Sequence, residues 1–226
     1  LKEKIARLEQ EMERLDGLEA QMLASPDRQI SLTDPDARSM SSSGRGTGVV
    51  GYNVQAAVDT EHHLIVAHEV TNIGTDRAQL SGMAKTAKAV LDVERLDVVA
   101  DRGYFSGEEI LASEQAGITV TLPKPMTSRA KAEGRFGKAD FVYLPEQDVY
   151  RCPAGDMLTY RYTNVEAGLT VSRYWTSACP KCPIKVQCTP GKERRVTRWE
   201  HEAVLEAMQE RLDANPDAMR VRRQTV

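Results

Sequence analysis

Over the first 24 residues, Ile5, Leu8, Met12, Leu15 and Met22 recur among charged neighbours at helical spacing, which predicts one amphipathic helix from Leu1 to about Ala24. Glu19 interrupts the stripe, so a helix packed on its own domain fits better than a coiled coil. Ser25-Pro26 ends it. The spacing then changes to alternation: Gln29-Ile30-Ser31-Leu32-Thr33 predicts a short strand that runs into Asp34-Pro35-Asp36. Residues 39–48 have loop composition. Residues 49–58 and 64–70 predict two strands joined by a hairpin turn over 59–63, which makes an antiparallel meander. The neighbouring His62 and His63 would project to opposite sides, which favours a solvated turn over a metal pair. Asp76 with Gln79 predicts a capping-box start for a helix whose apolar face is Leu80, Met83, Ala84, Ala87, Val90 and Leu91.

The run Leu96, Val98, Val99, Ala100 reads as a buried strand of the parallel kind, and it stops at Asp101. Ser106 with Glu109 predicts a capped helix to Ala116, closed by Gly117, and a strand Ile118-Thr119-Val120-Thr121-Leu122 follows, stopped by Pro123. The fold class is therefore α/β, with a meander, parallel strands and flanking helices. Right-handed crossovers would set the strand ending at Asp34 parallel and adjacent to the one ending at Asp101, roughly 4.8 Å away. Two carboxylates at one sheet edge supply oxygen ligands alone, which suits Mg²⁺ or Mn²⁺.

Charge and composition narrow the partners. The 226 residues carry a net charge of -3, so any basic surface for nucleic acid must be local. No apolar run has the length of a membrane span and no signal peptide is evident, which makes a cytoplasmic location the default. In that reducing setting the four cysteines are metal ligands or free thiols. Cys179, Cys182 and Cys188 form a C-x₂-C-x₅-C cluster with Cys152 upstream, compatible with a structural Zn²⁺ or with reduced, buried thiols. Lys124, Arg129, Lys131, Arg135 and Lys138 form one basic stretch, and Lys185, Lys192, Arg194, Arg195 and Arg198 a second; each reads as a phosphate contact or a solvated face. Residues 158–162 and 172–176 predict a hairpin whose Tyr, Trp and Arg either stack on DNA or pack on one another. A helix over 200–212 ends at Asn215-Pro216, and another starts at Asp217. The expected divisions are an N-terminal linker helix over 1–26, a core over 27–123, a basic, Cys-rich insertion over 124–198 and C-terminal helices over 199–226. Opening on Leu1 and stopping at Val226 suggests a piece of a longer protein.

Three stretches in order, Thr33-Asp34-Pro35-Asp36-Ala37-Arg38, Gly51-Tyr52-Asn53-Val54-Gln55 and Val99-Ala100-Asp101-Arg102-Gly103-Tyr104, resemble the DDE transposases of bacterial insertion sequences. The resemblance covers nearly all of the chain from Asp27 onward. It implies a ribonuclease H-like mixed sheet with a Cys-containing β-rich insertion. It also implies Mg²⁺- or Mn²⁺-dependent cleavage and transfer of DNA strands, with Asp34 and Asp101 as catalytic, metal-holding acids and Asp36 as the alternative to Asp34. Arg38 and Arg102 beside them would neutralise the cluster or contact the scissile phosphate. The family's third acid is a Glu that follows an Arg by one helical turn. Arg223 is so placed that this Glu would come just beyond Val226, although Arg220 stands where the family often has Tyr. Glu200, Glu202 and Glu206 are the substitutes within the chain, which is otherwise incomplete for transposition. DNA contacts would come from Lys124, Arg129, Lys131, Arg135, Arg194, Arg195 and Arg223, with transposon ends and target DNA as partners and a homodimer as one form of the DNA complex. The rival readings are a ribonuclease H-like nuclease that only hydrolyses, and a non-catalytic, zinc-stabilised nucleic-acid-binding remnant.

Overall fold

In the computed structural model, which describes residues 1–40, 48–125 and 129–225, the amphipathic N-terminal stretch forms helix α1 (Lys2–Ala24). Every residue of α1 stays at least partly exposed, so its apolar stripe is not a core contact. The chain divides into two units, Leu1–Leu122 with Pro216–Val226, and Pro123–Asn215.

The first unit is built from three ribbons: β1 (Arg38–Met40) with β2 (Val49–Gly51) and β3 (Asn53–Val58) with β4 (Ile65–Thr71), both antiparallel, and β5 (Leu96–Val99) with β6 (Ile118–Thr121), parallel. This is a mixed α/β architecture, but among the described residues no ladder joins the ribbons into one sheet. The hairpin turn between β3 and β4 lies where the sequence puts it. Asp59 organises it by accepting the His62 and Glu61 amides, and His63 takes a positive φ of 58°. Helix α2 (Leu80–Leu91) lays Met83 and Ala87 on Ala67 of that hairpin, the small alanines letting helix and strands approach closely. Helix α3 (Gly107–Gln115) makes the crossover from β5 to β6, and Ile110, Ile118, Val120 and Leu122 are buried completely or nearly so. Each such side chain contributes about 2 kcal/mol by leaving water. Helix α6 (Ala218–Thr225) returns to pack against β5.

Three expectations fail here. Residues 29–33 are not a strand; β1 starts only at Arg38, after a turn in which the Ala37 amide bonds the Asp34 carbonyl. The parallel pairing of a strand ending at Asp34 with β5 is therefore absent, and β6 is the strand paired with β5. Neither capping box forms. Thr75, not Asp76, caps the 3₁₀ turn that leads into α2, and Ser106 makes no side-chain cap. Glu109 instead reaches across to accept the Ser81 amide at the start of α2 (2.8 Å), capping its neighbour rather than its own helix.

The second unit is an antiparallel five-stranded sheet in the order β11-β10-β9-β8-β7, formed by β7 (Val142–Leu144), β8 (Val149–Arg151), β9 (Met157–Glu166), β10 (Leu169–Trp175) and β11 (Val196–Trp199). The predicted hairpin is β9–β10, turned by Ala167 and Gly168 at φ 49° and 86°, a geometry whose twist suits antiparallel strands. One sheet face carries the core of Phe141, Tyr150, Leu158, Tyr174 and Val196. Helices α4 (Arg129–Ala132) and α5 (Glu202–Ala214) complete the unit.

Candidate functional site

Asp101 lies two residues past the end of β5, after Ala100, and opens a 3₁₀ turn, Arg102–Tyr104. One carboxylate oxygen, Oδ1, accepts the Gly103 amide at 2.7 Å; the other, Oδ2, accepts Nη2 of Arg222 from α6 at 3.0 Å. The turn thus occupies half of the carboxylate and leaves the other half for a cation. Gly103 has no side chain for a reason. A methyl group there would stand 2.9 Å from Asp101 Oδ1 and 3.6 Å from Asp76 Oδ2, so both carboxylates border the space that a side chain would fill.

Asp76 was legible in the sequence only as a helix start. Freed from capping, its Oδ1 accepts Asn53 Nδ2 at 2.9 Å and Gln55 Nε2 at 2.8 Å. Gln55, only 2% exposed, spends its other amide proton on Asn53 Oδ1 and its carbonyl on the Tyr104 hydroxyl. Burial and the Asp76 and Asp101 charges raise the Tyr104 pKa, keeping it a donor. A signal for this network was present in the alternation of β3, where Asn53 and Gln55 share one face two residues apart.

Asp34 is half-buried and has different neighbours. Both its carboxylate oxygens accept the Tyr52 hydroxyl, at 2.9 and 3.1 Å, which raises the Tyr52 pKa. Asp36 is exposed, and its carbonyl accepts from Asn72. Arg38 braces this turn through Asp27 and the Pro35 and Ala37 carbonyls. Its guanidinium, after the Ser25 hydroxyl, helps lower the Asp27 pKa to about 2.

Of the three acids named as substitutes, Glu200 is exposed and the other two are held in ion pairs. Glu202 accepts Lys138 Nζ at 2.6 Å and the Trp199 amide, and Glu206 pairs with Arg198, whose guanidinium also lies 3.7 Å from the centre of the Tyr143 ring. Of the candidate DNA contacts, Lys124, Arg129, Lys131, Arg195 and Arg223 are exposed. Arg135 pairs with Glu133, and Arg194 lies over Phe141. Arg195 and Arg161 both lie over the Trp175 ring, and Tyr162 meets its edge, so the aromatic residues of this hairpin are packed among themselves and with arginine.

All four cysteines line one cavity in the second unit, together with Phe136, Phe141, Pro153, Leu158, Ile184, Lys185 and Arg194 among others. Burial, partly opposed by Arg194 and reinforced by the other three sulfurs, pushes the Cys188 thiol up. As the side chains stand, no three His, Cys, Asp or Glu among the described residues are close enough together to hold one ion. Among the described residues no helix is long and apolar enough to cross a membrane.

Two family models, both described as Transposase DDE domain, match this chain, one over residues 25–135 and the other over residues 151–226. No curated protein and no solved structure matches it. The first match contains Asp34, Asp76 and Asp101 and the second all four cysteines and α6, so both the carboxylate site and the cysteine unit fall within sequence that characterises these domains. The chain belongs to the DDE-type transposase family.

Proposed function

We propose that this chain is the catalytic core of an insertion-sequence transposase, a ribonuclease H-like enzyme of the cytoplasm that cuts and joins DNA at the element's ends. The observation that carries the reading is Asp101 just past the end of β5, with one oxygen held by its turn and the other on a cation, and a second carboxylate, Asp76, bordering the same space at Gly103. Oxygen donors of this kind fit Mg²⁺ or Mn²⁺, and Arg222 already supplies positive charge there. Asp101 and Asp76 would be the oxygen donors at this turn, while Asp34, the family's first acid, is held by the Tyr52 hydroxyl as the side chains stand. A bound divalent ion would activate the attacking oxygen and stabilise the leaving one.

The chain's own residues prepare that site. Asn53 and Gln55 orient Asp76, Tyr104 holds Gln55, and Gly103 keeps the space that both carboxylates border free of side chain. Arg222 offsets the repulsion between two carboxylates and lies where a phosphate oxygen could also be bound. Exposed Lys124, Arg129, Lys131, Arg195 and Arg223 supply candidate phosphate contacts with transposon ends and target. Glu202 and Glu206 are engaged by Lys138 and Arg198, and the family resemblance assigns the third acid to the Glu that the family carries one helical turn after an Arg such as Arg223.

The test is Mn²⁺-dependent nicking and strand transfer on DNA carrying the element's ends, by the 1–226 chain and by one continued past Val226. Activity abolished by Asp101→Asn and Asp34→Asn is the expected result. Cleavage that survives Asp101→Asn overturns the assignment. Nicking without strand transfer favours a hydrolytic nuclease. Equal activity in both chains moves the third acid to Glu200, Glu202 or Glu206.

A further inference from the structure

We infer that Cys152, Cys179, Cys182 and Cys188 form a structural zinc site, which ties the segment after β10 to the loop after β8. The inference is independent of the carboxylate reading above. Every cysteine in the 226 residues meets at this one cavity, although Cys152 is far in sequence from the other three. Chance packing of small apolar thiols does not require all of them to converge.

The local backbone is arranged as ligand-bearing turns. Cys152 heads a tight turn: the Gly155 amide bonds the Cys152 carbonyl, the Cys152 amide bonds the Asp156 carbonyl, and Gly155 takes φ 90°, open to glycine at little cost. Cys179 and Cys182 bracket a 3₁₀ turn in which the Cys182 amide bonds the Cys179 carbonyl, and the turn Lys185–Gln187 delivers Cys188. A C-x₂-C turn of this tightness lets two sulfurs meet one ion. The cavity has a volume of about 20 Å³, room for a single small guest and no more.

The surroundings suit a bound metal with its charge. Zn²⁺ with four thiolates carries a net charge of 2-, which needs nearby cations and apolar shielding. Arg194 and Lys185 supply the cations, against one acid, Asp156, and Phe136, Phe141 and Leu158 the shielding. Arg194 Nε is buried and has no hydrogen-bond acceptor among the described residues, an unmade bond that a thiolate sulfur would complete. The sulfurs do not yet stand at the spacing of a shared ion, so binding would draw them inward by side-chain rotation. In binding, four S–H bonds give way to four Zn–S bonds, and four protons pass to solvent.

The experiment uses the full chain, expressed in zinc-supplemented medium and purified without chelator. Elemental analysis should find one zinc per chain, with all four thiols unreactive toward a thiol reagent until a strong chelator exposes them. Cobalt substituted for zinc should give the visible spectrum of a tetrahedral thiolate site, a readout that does not depend on any cysteine variant folding. Cys182→Ser, if soluble, should lose the metal and expose the remaining three thiols. Metal-free protein with four reactive thiols, a disulfide between any two, or iron in place of zinc would overturn the assignment.

Discussion

Replacing Asp76 by Ala and by Asn separates its two roles. Its Oδ1 accepts two charge-assisted bonds, from Asn53 and Gln55, and Gln55 is 2% exposed, so no water can replace the lost acceptor. Hydrogen bonds to a charged group contribute about 1.5–3 kcal/mol each, and a buried donor left unpaired costs about 1–3 kcal/mol. Relief of repulsion with Asp101 offsets part of this, leaving a loss of about 3 kcal/mol for Asp76→Ala. Asn retains an acceptor at the same place and removes the charge, so Asp76→Asn should cost about 1 kcal/mol. For a domain of this size, 3 kcal/mol lowers the thermal midpoint by roughly 10 °C. Urea and thermal unfolding of both variants measure stability, and Mn²⁺ titration of the same samples measures metal affinity. Metal binding should fall in both variants alike, because both lose the carboxylate, while stability should separate them. Equal destabilisation by Ala and Asn would refute the argument that the Asn53–Gln55–Asp76 network is structural. Unchanged Mn²⁺ affinity in both would remove Asp76 from the metal site.

Glu202 should give the second unit an acid-sensitive step. Burial pushes its pKa up, but the Lys138 ammonium and the Trp199 amide outweigh this and leave it below the ordinary value. Its contribution is thus full above about pH 4.3, the unfolded carboxylate range, and is lost as pH falls through the folded value. Glu202→Gln should lower stability near neutral pH by about 2 kcal/mol, moderated because Lys138 is 36% exposed, and flatten the acid limb of a urea-midpoint series. A variant that retains the full acid limb would contradict this. At the β9–β10 turn, Ala167 pays for its φ of 49°, so Ala167→Gly should raise the unfolding midpoint by the equivalent of about 1 kcal/mol, and a fall would show that the turn is not strained.

Much of the architecture was readable because it depends on local spacing. The helices over 2–24, 80–91 and 202–214, the hairpin at Asp59, the strands β5 and β6, though not their pairing, and the glycine at Gly117 each follow from periodicity or from a residue with one conformational use. The motif around Asp101 was legible for the same reason: an apolar run stopped by a carboxylate and a glycine turn is a local statement. Tertiary structure decided what local rules left open, chiefly where the polar side chains spend their hydrogen bonds. Asp76 and Glu109 both satisfy a capping rule, yet one turns to Asn53 and Gln55 and the other to Ser81, because partners distant in sequence compete with the helix's own amides. The run at 29–33 alternates like a strand but finds no pairing partner, and the chain turns at Asp34 instead, braced by Arg38. Spacing alone set Cys179, Cys182 and Cys188 near one another. Only the folded sheet of the second unit brought Cys152 to the same cavity, because a contact across that much chain is fixed by strand order and not by any local pattern.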